Sequence, residues 1–241
     1  MNDSTEQAWL INMAEELLCD PRHQGDENKY LQAVRANFDW MALDPHAFCF
    51  SENPDLLSQW RAYADDGRGY SIGYSSSWIE SQKNLYPRHY VALWPVEYDT
   101  NRQRELLNHY IRKYLTRMNE GGNERDEGMK LILAIYGLSG ACKNPHFAEE
   151  KEIRLLIMEP RNASAFHKNC TRGVSERFYR NRGDQRISCF SLAFCEDAVT
   201  SVYLGPKNDA KRDDLELKRF LLQNGYDPNR IEIVRSDIPY A

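Results

Sequence analysis

Residues 48–74, FCFSENPDLLSQWRAYADDGRGYSIGY, constrain the fold more tightly than any other stretch of the chain. The aromatic segment 47–50 reads as a short strand. Asn53 then precedes Pro54, the residue best tolerated in a first helical turn, so this pair is the expected helix start. Leu56, Leu57, Trp60 and Tyr63 follow at the spacing of a buried helix face. Asp65-Asp66-Gly67-Arg68-Gly69 ends that helix. Residues 70–74 then alternate Tyr70, Ile72 and Tyr74 against Ser71 and Gly73, which is the period of a strand. The small face of that strand lets a second element, or a ligand, approach the backbone closely.

Along the rest of the chain, apolar periodicity predicts helices over 4–19, 30–40, 103–118, 129–142 and 208–224. Trp9, Leu10, Met13, Leu17 and Leu18 form the stripe of the first, with Ser4 as its N-cap; Leu31, Val34 and Phe38 share a face of the second. Further strands are expected over 89–99, from 150 onward, and over 187–195, 199–204 and 230–236. Pro95 marks the first of these as an edge or a bulge. NEGGNERDEG, residues 119–128, reads as a loop. Strands and helices do not alternate regularly, so the expected class is α+β: a mixed or antiparallel sheet core with flanking helices. With no linker in evidence, 1–241 reads as a single domain, N-terminal helices at 4–40 and a core at 46–241.

At 241 residues, 41% hydrophobic and 28% charged, the chain has the composition of a globular protein. Its net charge of −5 supplies no general attraction to nucleic acid or to an anionic membrane. The opening MNDSTEQAWL has no signal-peptide pattern, and the longest apolar run, 131–138, is too short to span a bilayer. A cytoplasmic location without a membrane partner is therefore expected. The six cysteines contain no Cys-x-x-Cys pair, and Cys142 with His146 stands alone, so no metal is expected.

The standard phosphate-loop, dinucleotide, nucleophile-elbow and zinc-protease motifs do not occur. Two features remain. In Glu150-x-Glu152-x-Arg154, strand geometry sets three charged side chains on one face, with Ile153, Leu155 and Ile157 on the other. Two carboxylates and a guanidinium so placed suit a ribose hydroxyl and a developing oxocarbenium ion. The alternative is an edge strand carrying an exposed, self-compensating charge row. The second feature is the 48–74 unit. Ser51 and Glu52 sit at a strand end, Trp60 and Tyr63 suit either a planar ligand or a core, and Arg61 and Arg68 suit a phosphate. The histidines show no catalytic spacing. The string 171–186, with Arg172, Arg177, Arg180, Arg182 and Arg186 around Phe178 and Tyr179, suits an RNA or nucleotide phosphate, or a solvated loop.

The 49–74 pattern resembles the signature of a bacterial family, domain of unknown function 2971. The shared positions are Cys49, Phe50, Ser51, Glu52, Leu57, Trp60, Tyr63, Ala64, Gly69, Ile72 and Gly73. FAEEKEIRLLI is similar to the family's Phe-x-x-Glu-x-Glu-x-Arg strand, which maps to Glu150, Glu152 and Arg154; VYLGP and SDIPY resemble its late segments. Asn2, Asp3 and Glu6 are similar to an Asn-Asp-x-x-Glu turn that follows the family's first strand, so that strand is expected to be missing here. The family has no settled activity, but its motif order resembles that of ADP-ribosyltransferases. That resemblance implies NAD as substrate, with Glu152 and Glu150 catalytic. It also implies Ser51, Trp60, Tyr63 and Arg154 as NAD-binding residues. The function implied is an NAD-dependent transferase-like toxin or phage-defence effector, with a protein or nucleic-acid acceptor. The alternatives are a non-catalytic structural or regulatory module, and an effector directed at RNA or a nucleotide.

Overall fold

The computed structural model describes residues 4–37, 43–82, 90–160, 178–183, 185–191, 195–210 and 214–240. In chain order the elements are α1 (Ser4–Leu18), α2 (Gly25–Ala36), β1 (Leu43–Ser51), α3 (Leu57–Tyr63), β2 (Tyr70–Tyr74) and α4 (Ser76–Gln82). They continue with β3 (Tyr90–Pro95), α5 (Thr100–Asn119), α6 (Glu124–Ala141), β4 (Glu152–Pro160), β5 (Phe178–Arg182) and β6 (Gln185–Cys189). The last are β7 (Val199–Leu204), α7 (Leu215–Gln223) and β8 (Glu232–Arg235). The class is α+β. The chain forms two compact units, Met1–Phe50 with Tyr86–Asn169, and Ser51–Leu85 with Cys170–Ala241.

Among the described residues, the first unit joins α1, α2, α5 and α6 to a three-stranded sheet in the order β1-β4-β3. Its core is a cluster in which Leu10 of α1, Leu31 of α2, Leu107 of α5 and Leu131 and Ile135 of α6 are fully buried. Each of these helices offers one apolar stripe, and burying those stripes together is what stabilises them. β3 and β4 are antiparallel, with Leu93 opposite Leu155 and Trp94 opposite Arg154. β3 is an edge strand and Pro95 is its last residue, which fits a residue with no N–H to donate. β4 is central. α6 packs on it closely at Gly140, where a Cβ would stand 3.1 Å from the tip of Leu156.

The second unit holds a sheet ordered β2-β7-β8 and a separate β5–β6 hairpin. β2 runs antiparallel to β7, and β8 runs parallel to it. Val202, Leu221 of α7 and Ile231 are its buried cluster.

Several local expectations change. α2 begins at Gly25 rather than residue 30, because Asp26 and Glu27 sit favourably in its first turn; Phe38 and Trp40 lie outside the described residues. Asn53 and Pro54 do not start α3. The Asn53 side chain instead accepts from the Asp55 N–H in a local turn, and the helix begins at Leu57. Tyr63, expected in the core, is 69% exposed, whereas Trp60 is 2% exposed. The Tyr70 and Ile72 face of β2 is the open one. At Gly73 the element that comes close is β7: a Cβ there would meet Ser201 Oγ at 2.0 Å. The 119–128 loop shrinks to four residues, since Asn123 caps α6 by accepting from the Asp126 N–H. Residues 178–182 and 185–189, read as part of a basic string, are hairpin strands turning at Gly183, φ 58°.

Candidate functional site

The residues with most chemical capacity meet at one end of the first unit's sheet. α6 ends at Ala141, and Lys143 follows directly. Residues Pro145–Glu150 then form a 3-10 turn that ends in Lys151, whose φ of 42° is left-handed. Glu150 is therefore not on the strand, as the period-2 pattern predicts, because the turn intervenes before β4 starts at Glu152. The charged row is not exposed, nor is β4 an edge. Glu152 is 8% and Arg154 1% exposed.

The geometry closes these charges on one another. Arg154 Nε donates to Glu152 Oε1 at 2.9 Å, and its Nη2 donates to Oε2 at 2.8 Å. Nη1 donates to the Gly140 carbonyl at 3.0 Å, which ties β4 to α6. Lys143 Nζ donates to Glu150 Oε2 at 2.6 Å and to Glu152 Oε2 at 3.4 Å. It lies 4.7 Å from the centroid of the Phe147 ring. The Tyr98 hydroxyl accepts from the Glu152 N–H at 3.1 Å. Beneath this, buried Gln103 of α5 donates to the carbonyls of Glu97 and Lys143 and accepts from Trp9 Nε1 of α1. Among the described residues, two carboxylates here face two cations, and such pairing is what allows charges to be buried.

Burial alone would raise the Glu152 carboxyl. The Arg154 hydrogen bonds and charge, the Cys49 thiol and Lys143 together outweigh it and hold the group below the usual carboxylate range. Cys49, on β1 beside β4, presents part of its surface to solvent. The protein packed around its thiol, and then the Glu152 charge, still push it up to about 12. Such a thiol is a proton donor and a poor nucleophile at neutral pH. Pattern reading missed Lys143, Cys49 and Gln103. The apolar run Leu155-Leu156-Ile157 was the available signal that β4 is central, since a strand covered on both faces is continuously hydrophobic.

The remaining expected site residues belong to the second unit. Ser51 is exposed and its Oγ accepts from the Asn53 N–H at 3.1 Å. Trp60 is core: its Nε1 donates to Asp55 Oδ1 at 2.6 Å, which also accepts from Ser236 Oγ at 2.7 Å. Tyr63, three residues on, is exposed. This unit also holds a feature not foreseen. Asp65 and Asp66 are both left-handed, at φ 47° and 54°. Asp66 is held there by the Tyr240 hydroxyl at 2.7 Å and Lys207 Nζ at 3.1 Å.

In the hairpin, Arg180 lies 5.3 Å from the Phe178 ring centroid and Arg186 4.2 Å from that of Tyr179. Arg172 and Arg177, like Asn2 and Asp3, lie outside the described residues. Among the described residues, no group of three or more His, Cys, Asp or Glu fits a metal ion, and no helix is long and apolar enough to cross a membrane.

No curated protein and no solved structure matches the chain. A family model does, over a segment that includes Trp60, Tyr63, Glu150, Glu152 and Arg154 but not Cys49 or Ser51. Residues 59–155 match the family described as "Protein of unknown function (DUF2971)", a segment short of half the chain.

Proposed function

We propose that the chain is a non-catalytic structural or regulatory module, in which Glu150, Glu152 and Arg154 brace the sheet rather than act on NAD. The observation that carries this reading is the occupation of the Glu152 carboxylate. Both of its oxygens accept from the Arg154 fork, and the second also accepts from Lys143. A transferase glutamate has to offer its carboxylate to a ribose. Freeing this one would take from the buried Arg154 guanidinium the carboxylate that it grips with two hydrogen bonds, at a cost of about 3–5 kcal/mol.

The competing reading, an NAD-dependent transferase with Glu152 catalytic, makes opposite predictions. Incubating the full chain with NAD should release no nicotinamide, and NAD should not shift its melting temperature. Nicotinamide release that disappears in Glu152→Gln, while that variant melts like the wild type, would favour the transferase.

A further inference from the structure

β2 is an edge of the second unit's sheet: among the described residues it pairs with β7 alone. Its register decides which backbone groups face outward. The Gly205 N–H donates to the Gly69 carbonyl at 3.1 Å, and the pairing continues with Tyr70 opposite Leu204, Ser71 opposite Tyr203 and Ile72 opposite Val202. Alternate residues of an antiparallel ladder bond the partner strand, so Gly69 and Ser71 bond β7. Tyr70 and Ile72 therefore turn their N–H and C=O groups away from it. Both side chains are 48% exposed, so this outer edge stands open to solvent.

Natural sheets guard such an edge with charged residues, proline or a bulge. The β2 sequence, YSIGY, has no charge and no proline, and its one bulge, between Gly73 and Tyr74, lies beyond Ile72. It also reads nearly the same in both directions about Ile72, with a tyrosine at each end and a small residue on either side of the centre. That symmetry names the strand it fits. A strand paired antiparallel with its own copy sets its central residue against itself and every other residue against its mirror position. Here Ile72 would face Ile72 of the second copy, Tyr70 would face Tyr74, and Ser71 would face Gly73. Large side chains meet on one face and small ones on the other, and no like charges are opposed. The outward N–H of each Ile72 would donate to the carbonyl of the other.

We propose that β2 pairs antiparallel with the β2 of a second copy of this chain, about a two-fold axis at Ile72, joining their sheets edge to edge. A five-residue strand is well short of the roughly 20–30 residues a side of a standard interface, so the dimer is weak and reversible. The inference does not depend on the role given to the ion cluster.

The test uses the full chain. Sedimentation equilibrium from about 5 to about 500 µM should show the average mass rising from one chain toward two. Across that range the Tyr70 and Ile72 amides, which face outward in the monomer, should exchange with solvent about threefold more slowly. Ile72→Lys and Ile72→Glu, at a half-exposed position, each oppose like charges across the axis. Each should weaken association at least about tenfold, and an equimolar mixture of the two variants should regain it. A chain that stays monomeric throughout overturns the proposal, as does association that runs on past the dimer. So does a dimer in which the Tyr70 and Ile72 amides exchange as fast as in the monomer, a readout that needs no variant. Single variants that associate like the wild type, or a mixture no more associated than either variant alone, also overturn it.

Discussion

A carboxylate that is 8% exposed stays ionised only when its partners outweigh the water it has lost. Because Glu152 titrates below its ordinary value when folded, the unfolded chain binds more protons than the native one in acid. Its contribution is therefore fully present above the usual glutamate value of about 4.3, and is lost as pH falls through the lowered one. Denaturant midpoints measured from pH 7 to pH 3 should fall in the acid part of this range, and Glu152→Gln should make that fall shallower. An acid limb that the substitution leaves unchanged would count against an ionised, partnered Glu152.

Cys49 gives a second test at this scale. With its thiol raised from 9.0 to about 12, alkylation by iodoacetamide at pH 8 should be about a thousandfold slower than in the unfolded chain. Mass-spectrometric mapping reads this directly. Glu152→Gln should restore only part of the rate, since burial is the larger cause.

At the scale of elements, two glycines make opposite predictions. A Cβ on Gly205 would stand 2.2 Å from the Gly67 carbonyl oxygen, which is backbone and cannot swing aside. Gly205→Ala should destabilise the protein by about 3 kcal/mol. Gly128 lies inside α6, and a Cβ there meets nothing closer than 3.4 Å. Gly128→Ala should stabilise by up to about 1 kcal/mol, the helical advantage of alanine. Denaturant melts of both variants check the signs.

The same elements show what a pattern reading can reach. α1 and α5 were legible because Leu10, Met13 and Leu18, and Leu107, Ile111 and Leu115, recur at helical spacing. The start of α6 was hidden by the Gly121-Gly122 pair, although Asn123 as cap, with Glu124, Asp126 and Glu127 in the first turn, is a helix-start signal. Asn53-Pro54 misled for a related reason: asparagine serves a local turn as readily as a helix cap. Glu152 and Arg154 read as surface, because alternating charges usually are. Their burial depends on α6 and on flanking strands that local pattern does not specify.

For the whole molecule, the α+β class was legible from the order of elements, but the sheets were not. Tyr70 pairs with Leu204 and Leu93 with Leu155, and no local signal specifies such distant partners. The division into two units was hidden as well. The chain passes from one unit to the other after Phe50, Leu85 and Asn169, so neither is a continuous stretch bounded by a linker. The residues resembling a transferase signature are consequently split: Glu150, Glu152 and Arg154 belong to one unit, Ser51, Trp60 and Tyr63 to the other. In the first, the matching residues form, with Lys143, a buried ion cluster joining β4 to α6 through the Gly140 carbonyl. The most direct measurement is a double-mutant cycle on Glu152 and Arg154, read by denaturant unfolding. Glu152→Gln and Arg154→Met should each cost about 3–5 kcal/mol, and the double variant far less than their sum, because the second change removes the charge stranded by the first. Single variants within about 0.5 kcal/mol of the wild type, or losses that simply add, would contradict a structural brace.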